Sequence, residues 1–243
     1  MAVNYSHGYR SPVFLSRIAV IALVAISICQ MLAVFIGFAQ IASPTRVIDL
    51  EGLQNTSLWL AMQGLVALVE IGLLVASAVT FLMWLHRSYA NLPALRSENT
   101  EFTPGWAVGW WFIPFANLVK PFQAVRNLWT ESDPDIEPER PFLSAAGSSA
   151  PGFMSLWWAF WIIGNIADNI TGRVFEPDDM RTVVLSGYFF IFTGIVRTIA
   201  AALAVKVILS ISDRQEQRFT KIGIAQSYSP PPPPTFEGNF GNQ

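Results

Sequence analysis

Four long apolar runs, set between polar stretches, dominate the chain. The first, Ile18 to Ala42, carries no charge, and the second, Leu58 to Leu85, carries Glu70 alone. The third, Phe153 to Ile170, is the shortest and is rich in tryptophan, while the fourth, Ser186 to Ile208, holds Arg197 at its middle and Lys206 near its end. A helix rises ~1.5 Å per residue and the hydrocarbon core of a bilayer is ~30 Å thick, so about 20 mainly apolar residues make one crossing. Inside lipid the peptide groups must satisfy one another, which for a single segment means an α-helix. The pattern predicts an all-α integral membrane protein with four transmembrane helices, over 18–42, 58–85, 153–170 and 186–208. The third is short enough to stand nearly upright.

Composition agrees with the pattern. Of 243 residues 52% are hydrophobic and 13% charged, against about 25% charged in soluble domains, which excludes a water-soluble fold. Arg10 and Arg17 precede the first run as basic residues precede a signal peptide, but the run far exceeds the usual ~7 to 15 apolar residues and reads as a retained anchor. Cys29 lies within it with no second cysteine to pair with, and reads as a packed apolar thiol. With His7, His86 and one cysteine, a His/Cys metal cluster is excluded, and no metal or other cofactor is expected. A net charge of −2 argues against nucleic acid as a partner.

Basic residues in short loops stay on the cytoplasmic side. Arg10 and Arg17, then Arg87, Arg96, Lys120, Arg126 and Arg140, then Lys206, Arg214, Arg218 and Lys221 fall on one side, eleven in all, against Arg46, Arg173 and Arg181 on the other. That imbalance predicts a multi-pass protein of the cell membrane with both termini cytoplasmic, residues 1–17 forming the N-terminal tail.

Between the second and third runs, residues 103–131 are apolar but punctuated. Trp106 to Leu118 would make ~20 Å of helix, too short to cross, and Pro114 breaks it. Thr103 is placed to cap a first short helix opened by Pro104, and a second begins near Pro121 and ends before Ser132-Asp-Pro134. In the second helix Phe122, Val125, Leu128 and Trp129 share one face and Gln123, Arg126 and Asn127 the other, the pattern of a helix lying along an interface. Tryptophans such as Trp106, Trp110, Trp111 and Trp129 suit the headgroup level. The segment reads as a Trp/Pro-rich elbow of two short interfacial or re-entrant helices in the cytoplasmic leaflet. Asn117, between Pro114 and Pro121, reads as satisfying backbone groups freed by the prolines or as capping the second helix. A fifth span from Trp106 onward is the competing reading, and it would put Lys206, Arg214, Arg218 and Lys221 outside.

These residues also carry a resemblance. Leu82-x-Trp84-Leu85-x-Arg87-x-Tyr89-x-x-Leu92-Pro93, then Phe102-Thr-Pro-Gly-Trp-Ala-Val-Gly-Trp-Trp-Phe-Ile-Pro-Phe-Ala-Asn117, Pro121, Val125, Leu128-Trp129 and Ser132-Asp-Pro134 resemble the bacterial integral-membrane family called domain of unknown function 4328. Trp157-Trp158-x-x-Trp161 through Gly164-Asn165-Ile166 continues the likeness, which covers roughly Leu58 to Arg214. It implies architecture and a bacterial cell membrane, and brings no activity with it.

A charge near the bilayer centre costs ~2.5 to 3.5 kcal/mol on insertion scales and needs a partner or a cavity. Glu70 and Arg197 lie at similar depths from the outer ends of the second and fourth spans, which predicts an intramembrane ion pair between them, either structural or serving transport or sensing. Asn165, Asp168 and Asn169, at i, i+3 and i+4, share one face of the third span, as a polar vestibule or for interhelical hydrogen bonding. Gly64, Gly72, Gly164 and Gly194 read as places of close helix packing.

After Arg214 the chain turns polar, then reaches five successive prolines in Tyr228-Ser-Pro-Pro-Pro-Pro-Pro-Thr235. Residues 214–243 read as a disordered, proline-rich cytoplasmic tail, a spacer or a ligand for an aromatic-lined groove. The partners to expect are the lipid bilayer, a protein that reads this tail, and further copies of the chain. Of the functions left open, a non-enzymatic component that organises or regulates partners fits best. A small transporter or channel component using the intramembrane polar groups is the alternative, and an enzyme is weakest because no nucleophile with a base, His-based metal motif or phosphate-binding loop is found.

Overall fold

The computed structural model describes residues 8–42, 57–97, 100–135, 149–174 and 180–227, and among them every element is helical and none is a strand. The α-helices are α1 (Val13–Ala42), α2 (Ser57–Asn91), α3 (Pro104–Gly109), α4 (Lys120–Glu131), α5 (Gly152–Val174) and α6 (Met180–Ser227). Two single 3₁₀ turns, Trp110–Phe112 and Ala116–Leu118, join α3 to α4. The proline run, the first seven residues and the acidic stretch beyond Asp135 lie outside the described residues.

Three helices are long and apolar enough to cross a membrane, over Val13–Ala39, Gly64–Asn91 and Val184–Ile224, as in a multi-pass membrane protein. At 23 residues α5 is shorter than these three, and Asn165, Asp168 and Asn169 dilute its second half. Helix α6 packs against both α1 and α5, and α1 against α2. Glycines set the closest approach: a Cβ on Gly37 of α1 would stand 2.7 Å from the Gly187 carbonyl oxygen of α6, and one on Gly194 would stand 2.9 Å from the Gln30 carbonyl oxygen. Gly164 likewise makes room for the Arg197 stem, 3.4 Å from its Cβ position. Gly64 and Gly72 meet nothing within 4 Å, so the close packing expected of these two is not made by the described residues.

Helix α6 also overturns one expectation. The tail predicted to be disordered from residue 214 is helical through Ser227, and Gln215 and Arg218 within it are buried. At 48 residues α6 is ~70 Å long, more than twice the thickness of a hydrocarbon core. Its last third packs into a cap with the end of α2, the segment 92–97, α4 and the start of α5. Trp84, Leu85, Tyr89, Leu92, Val125, Leu128, Met154, Ile208 and Ile211 form the core of this cap. The chain start joins it, because Tyr9 stacks on Phe219 at 4.1 Å and the Arg10 backbone exchanges hydrogen bonds with Asn91.

Segment 100–131 doubles back on itself. Thr103 accepts a hydrogen bond from the Trp106 amide and Pro104 opens α3. Ile113, before Pro114, is extended as that position requires, and the chain reverses at Phe115, whose φ is 62°. Arg218 then donates to the carbonyls of Leu95 (2.8 Å) and Arg96 (3.3 Å) before the elbow and to those of Glu131 (2.7 Å) and Asp133 (3.1 Å) after it. One side chain thus holds both ends of the elbow, where a fifth crossing would part them by ~30 Å.

The face of α4 read as membrane-facing is instead turned inward. Val125 and Leu128 are inaccessible, and the Tyr89 hydroxyl donates to the Ala124 carbonyl at 2.6 Å. Its amphipathic pattern arises from packing on α2 within the cap, a solution that produces the same periodicity as lying on lipid. The outward apolar groups are at the elbow's bend: Phe112, Phe115, Leu118 and Val119.

Candidate functional site

Two regions gather polar groups. The first lies between the four long helices, where a cavity of about 190 Å³ is bounded by Ser27 and Gln30 of α1, Leu74 and Ser77 of α2, Trp157, Trp161 and Asn165 of α5, and Arg197 of α6. The spacing of these residues explains the convergence. Glu70, Leu74, Ser77 and Phe81 form one stripe of α2, and Trp157, Trp161, Gly164 and Asp168 one stripe of α5, both at helical i, i+4, i+7, i+11 intervals.

Arg197 forms its ion pair with Asp168, not with Glu70. Glu70 is exposed on α2 and acts on Arg197 through its charge without a direct bridge. The depth argument from sequence paired Arg197 with Glu70 of α2, whereas its bonded carboxylate comes from α5. Both members of the bridge are about one-third exposed, 35% for Arg197 and 33% for Asp168. Of the other two residues on the α5 face, Asn165 and Asn169 return their amides to their own helix, bonding the carbonyls of Trp161 (2.7 Å) and Asn165 (2.8 Å). Neither reaches across to a neighbouring helix.

The elbow residues are distributed around this bundle. Trp111 meets Trp158 and Trp161 edge to face at 5.9 and 5.6 Å, and the Trp158 indole donates to the Leu118 carbonyl at 3.0 Å. The bend is thereby pinned to the middle of α5. Trp106, 54% exposed, lies on Trp110, and Lys120 sits 5.8 Å above the Trp110 ring. Pro114 is exposed at the bend and Pro121 is buried in the first turn of α4. Asn117 is half-buried, and its side-chain oxygen has no hydrogen-bond partner among the described residues. Trp129 is sandwiched by Phe153, at 5.9 Å, and by the Arg214 guanidinium at 4.2 Å.

The second region, in the cap, escaped the sequence reading. Gln215, wholly buried, donates to the Ser88 carbonyl (2.9 Å) and to the Ser132 hydroxyl (3.1 Å) and accepts from Asn91 (3.2 Å). The Trp84 indole donates to Ser212 at 2.9 Å, and Ser97 donates to the Glu131 carboxylate. Arg214 bridges Asp133 at 2.9 Å. Arg214 and Arg218, which entered the sequence reading only through the charge count, are held in the cap by these bonds, as is Glu131. The available signal was the cluster Trp84, Tyr89 and Ser132-Asp-Pro134 within the quoted motif, polar and aromatic residues at fixed places beside a span.

A family model described as Domain of unknown function (DUF4328) matches residues 52–213. The chain belongs to the DUF4328 family. No curated protein and no solved structure matches it. The matched DUF4328 segment contains α2, the elbow, α5 and α6 as far as Asp213, so it includes Glu70, Asp168 and Arg197 together. It stops before Gln215 and Arg218 and leaves out α1, which supplies Ser27 and Gln30 to the cavity.

Proposed function

We propose that this DUF4328 protein is a non-enzymatic, four-span component of a bacterial cytoplasmic membrane, with both termini inside, that organises or regulates partners through its cap and proline-rich tail. The fourth crossing is α5: hydrogen bonding of Asn165 and Asn169 within their own helix and the pairing of Asp168 with Arg197 lower the cost of carrying them into lipid. Four crossings put Tyr9, the elbow ends and the end of α6 on one side, the side that holds eleven of the basic residues. On this reading the elbow is re-entrant, its apolar bend at Phe112, Phe115 and Leu118 immersed in the inner leaflet.

The observation that carries the regulatory reading is the grip of Arg218 on both ends of the elbow. Helix α6 runs unbroken from the Arg197 site into that grip and on toward the tail. A shift of α6 within the membrane is therefore passed to the elbow and the tail together. The test is cross-linking in native membranes with the full chain and with a chain ending at Ser227. Partners lost on truncation, with membrane insertion unchanged, support the reading, and identical cross-links from both chains contradict it.

Transport is the second reading, favoured by the polar cavity itself. Trp157 lines it and packs on buried Phe81, which in turn packs on buried Trp84, and this favours a cup over a conduit. Uptake into liposomes that disappears with Glu70→Gln would favour transport over the organising role.

A further inference from the structure

Near its cap end α2 carries a groove of about 420 Å³, lined by Val79, Leu82, Met83, His86 and Arg87 of α2, Leu15 of α1 and Val108 of α3. The five α2 residues stand at i, i+3, i+4, i+7 and i+8, one stripe of the helix, so the groove runs along its axis. Its lining is graded. Val79 and Met83, 48% and 51% exposed, lie within the apolar run of α2, which ends at Leu85, and His86 and Arg87 follow immediately. Over eight residues, ~12 Å, the floor passes from hydrocarbon to cation. Leu15 stands in the first turn of α1, so the basic end of the groove lies where two membrane helices reach the cap.

No carboxylate lines the groove. Arg197 and Arg214 are bridged to Asp168 and Asp133, and Arg218 is taken up by carbonyls, whereas neither Arg87 nor His86 has an ion pair or a side-chain hydrogen bond with a described residue. A half-buried guanidinium at the edge of hydrocarbon calls for an acceptor, and its planar fork suits the two oxygens of a phosphate. An inorganic anion would leave the apolar floor uncovered, and an acyl chain alone would leave the guanidinium unmatched. A phospholipid covers both.

We propose that this groove seats one anionic phospholipid. Its phosphate lies on the Arg87 guanidinium with His86 beside it, and one acyl chain runs along Met83, Leu82 and Val79 between Leu15 and Val108. Net negative charge is selected because the groove offers a cation and has no carboxylate to receive a choline. Seated there, the lipid joins the elbow, through Val108, to the end of α2 and the start of α1. The site needs only that α1 and α2 cross the bilayer; which leaflet supplies the lipid follows from the proposed topology, and the binding experiment does not depend on it.

The test is native mass spectrometry of the full chain in detergent, titrated with phosphatidylglycerol and, separately, with phosphatidylcholine of the same acyl chains. One phosphatidylglycerol should bind at least about tenfold more tightly than phosphatidylcholine. Arg87→Gln should remove most of that preference, and Arg87→Lys should restore part of it. Met83→Trp, at a half-exposed position, should fill the groove and weaken both lipids. Arg17→Gln, at an exposed arginine of α1 that does not line the groove, should leave binding unchanged. Thermal unfolding confirms that the variants are folded, and should Arg87→Gln not be, Met83→Trp still decides. Equal binding of the two lipids, parental binding in folded Arg87→Gln or Met83→Trp, or an equal loss in Arg17→Gln and Arg87→Gln, the mark of unspecific surface charge, would overturn the proposal.

Discussion

At the cap end, Trp84, Tyr89, Gln215 and Arg218 are inaccessible or nearly so, and each directs its polar atoms to a neighbouring element. At the other end, α2 turns Leu65, Val66, Leu68 and Ile71 outward, all more than half exposed, and Gly64 and Gly72 meet nothing within 4 Å among the described residues. On the proposed topology the contrast follows from the solvent each end meets. In water a cap must bury its apolar surface and satisfy every polar group it buries. In lipid an outward leucine needs no cover, since the tails around it are as apolar as a neighbouring helix. The cap is thus organised by directional bonds, and the membrane half by close glycine crossings and one ion pair.

Mutations can break or sharpen this contrast. The largest effect is expected at Arg218: replacing it with methionine removes the guanidinium's bonds to four carbonyls, three of them buried, and frees the elbow, costing ~3 to 5 kcal/mol. Thermal unfolding in detergent should show the loss, and an Arg218→Met protein as stable as the parent would remove the cap from the account. Next comes Gly194→Leu, which drives a side chain into Val34 and the Gln30 carbonyl. Its cost should be ~1 to 3 kcal/mol, read as a lowered melting temperature with the cap's near-ultraviolet circular dichroism retained.

A smaller effect concerns Tyr9, whose phenol donates to Glu216 at 3.0 Å. Burial first, and then the Glu216 charge, hold the phenol well above its ordinary value near 10. The fold favours the neutral form, so this contribution is complete below about pH 10 and is lost as pH rises beyond it. Between about pH 9 and about pH 11 the parent should lose more stability than Tyr9→Phe, and equal losses would show that Tyr9 is not part of the cap in solution. The smallest effect belongs to Gly72→Ala: with open space around it, the substitution should be neutral or stabilising by up to about 1 kcal/mol. A clear destabilisation would reveal a second copy packed on that face of α2.

What the sequence disclosed follows the same division. The long helices were legible because uninterrupted apolar runs have few alternatives in lipid. Glu70 and Arg197 stood out in the sequence as charges inside apolar runs, but the bonded partner of Arg197 is Asp168, on the helix where Gly164 makes room for the arginine stem. The cap was not legible. Its polar residues come from places as far apart as Asn91 and Gln215, 124 positions, and in sequence an arginine that clamps carbonyls looks the same as one that meets water. The periodicity of α4 misled for a related reason, since burial against protein and burial against lipid leave one signature.

On the four-span reading, residues 100–131 leave and re-enter the cap on one side of the membrane. Labelling of a cysteine at Ser149, in a Cys29→Ser background, tests it most directly, because Ser149 is exposed just after that segment and just before α5. An impermeant maleimide should modify it in inverted vesicles and leave it untouched in intact cells. Modification in intact cells, with protection in inverted vesicles, would mean that the elbow crosses the bilayer and would contradict the account.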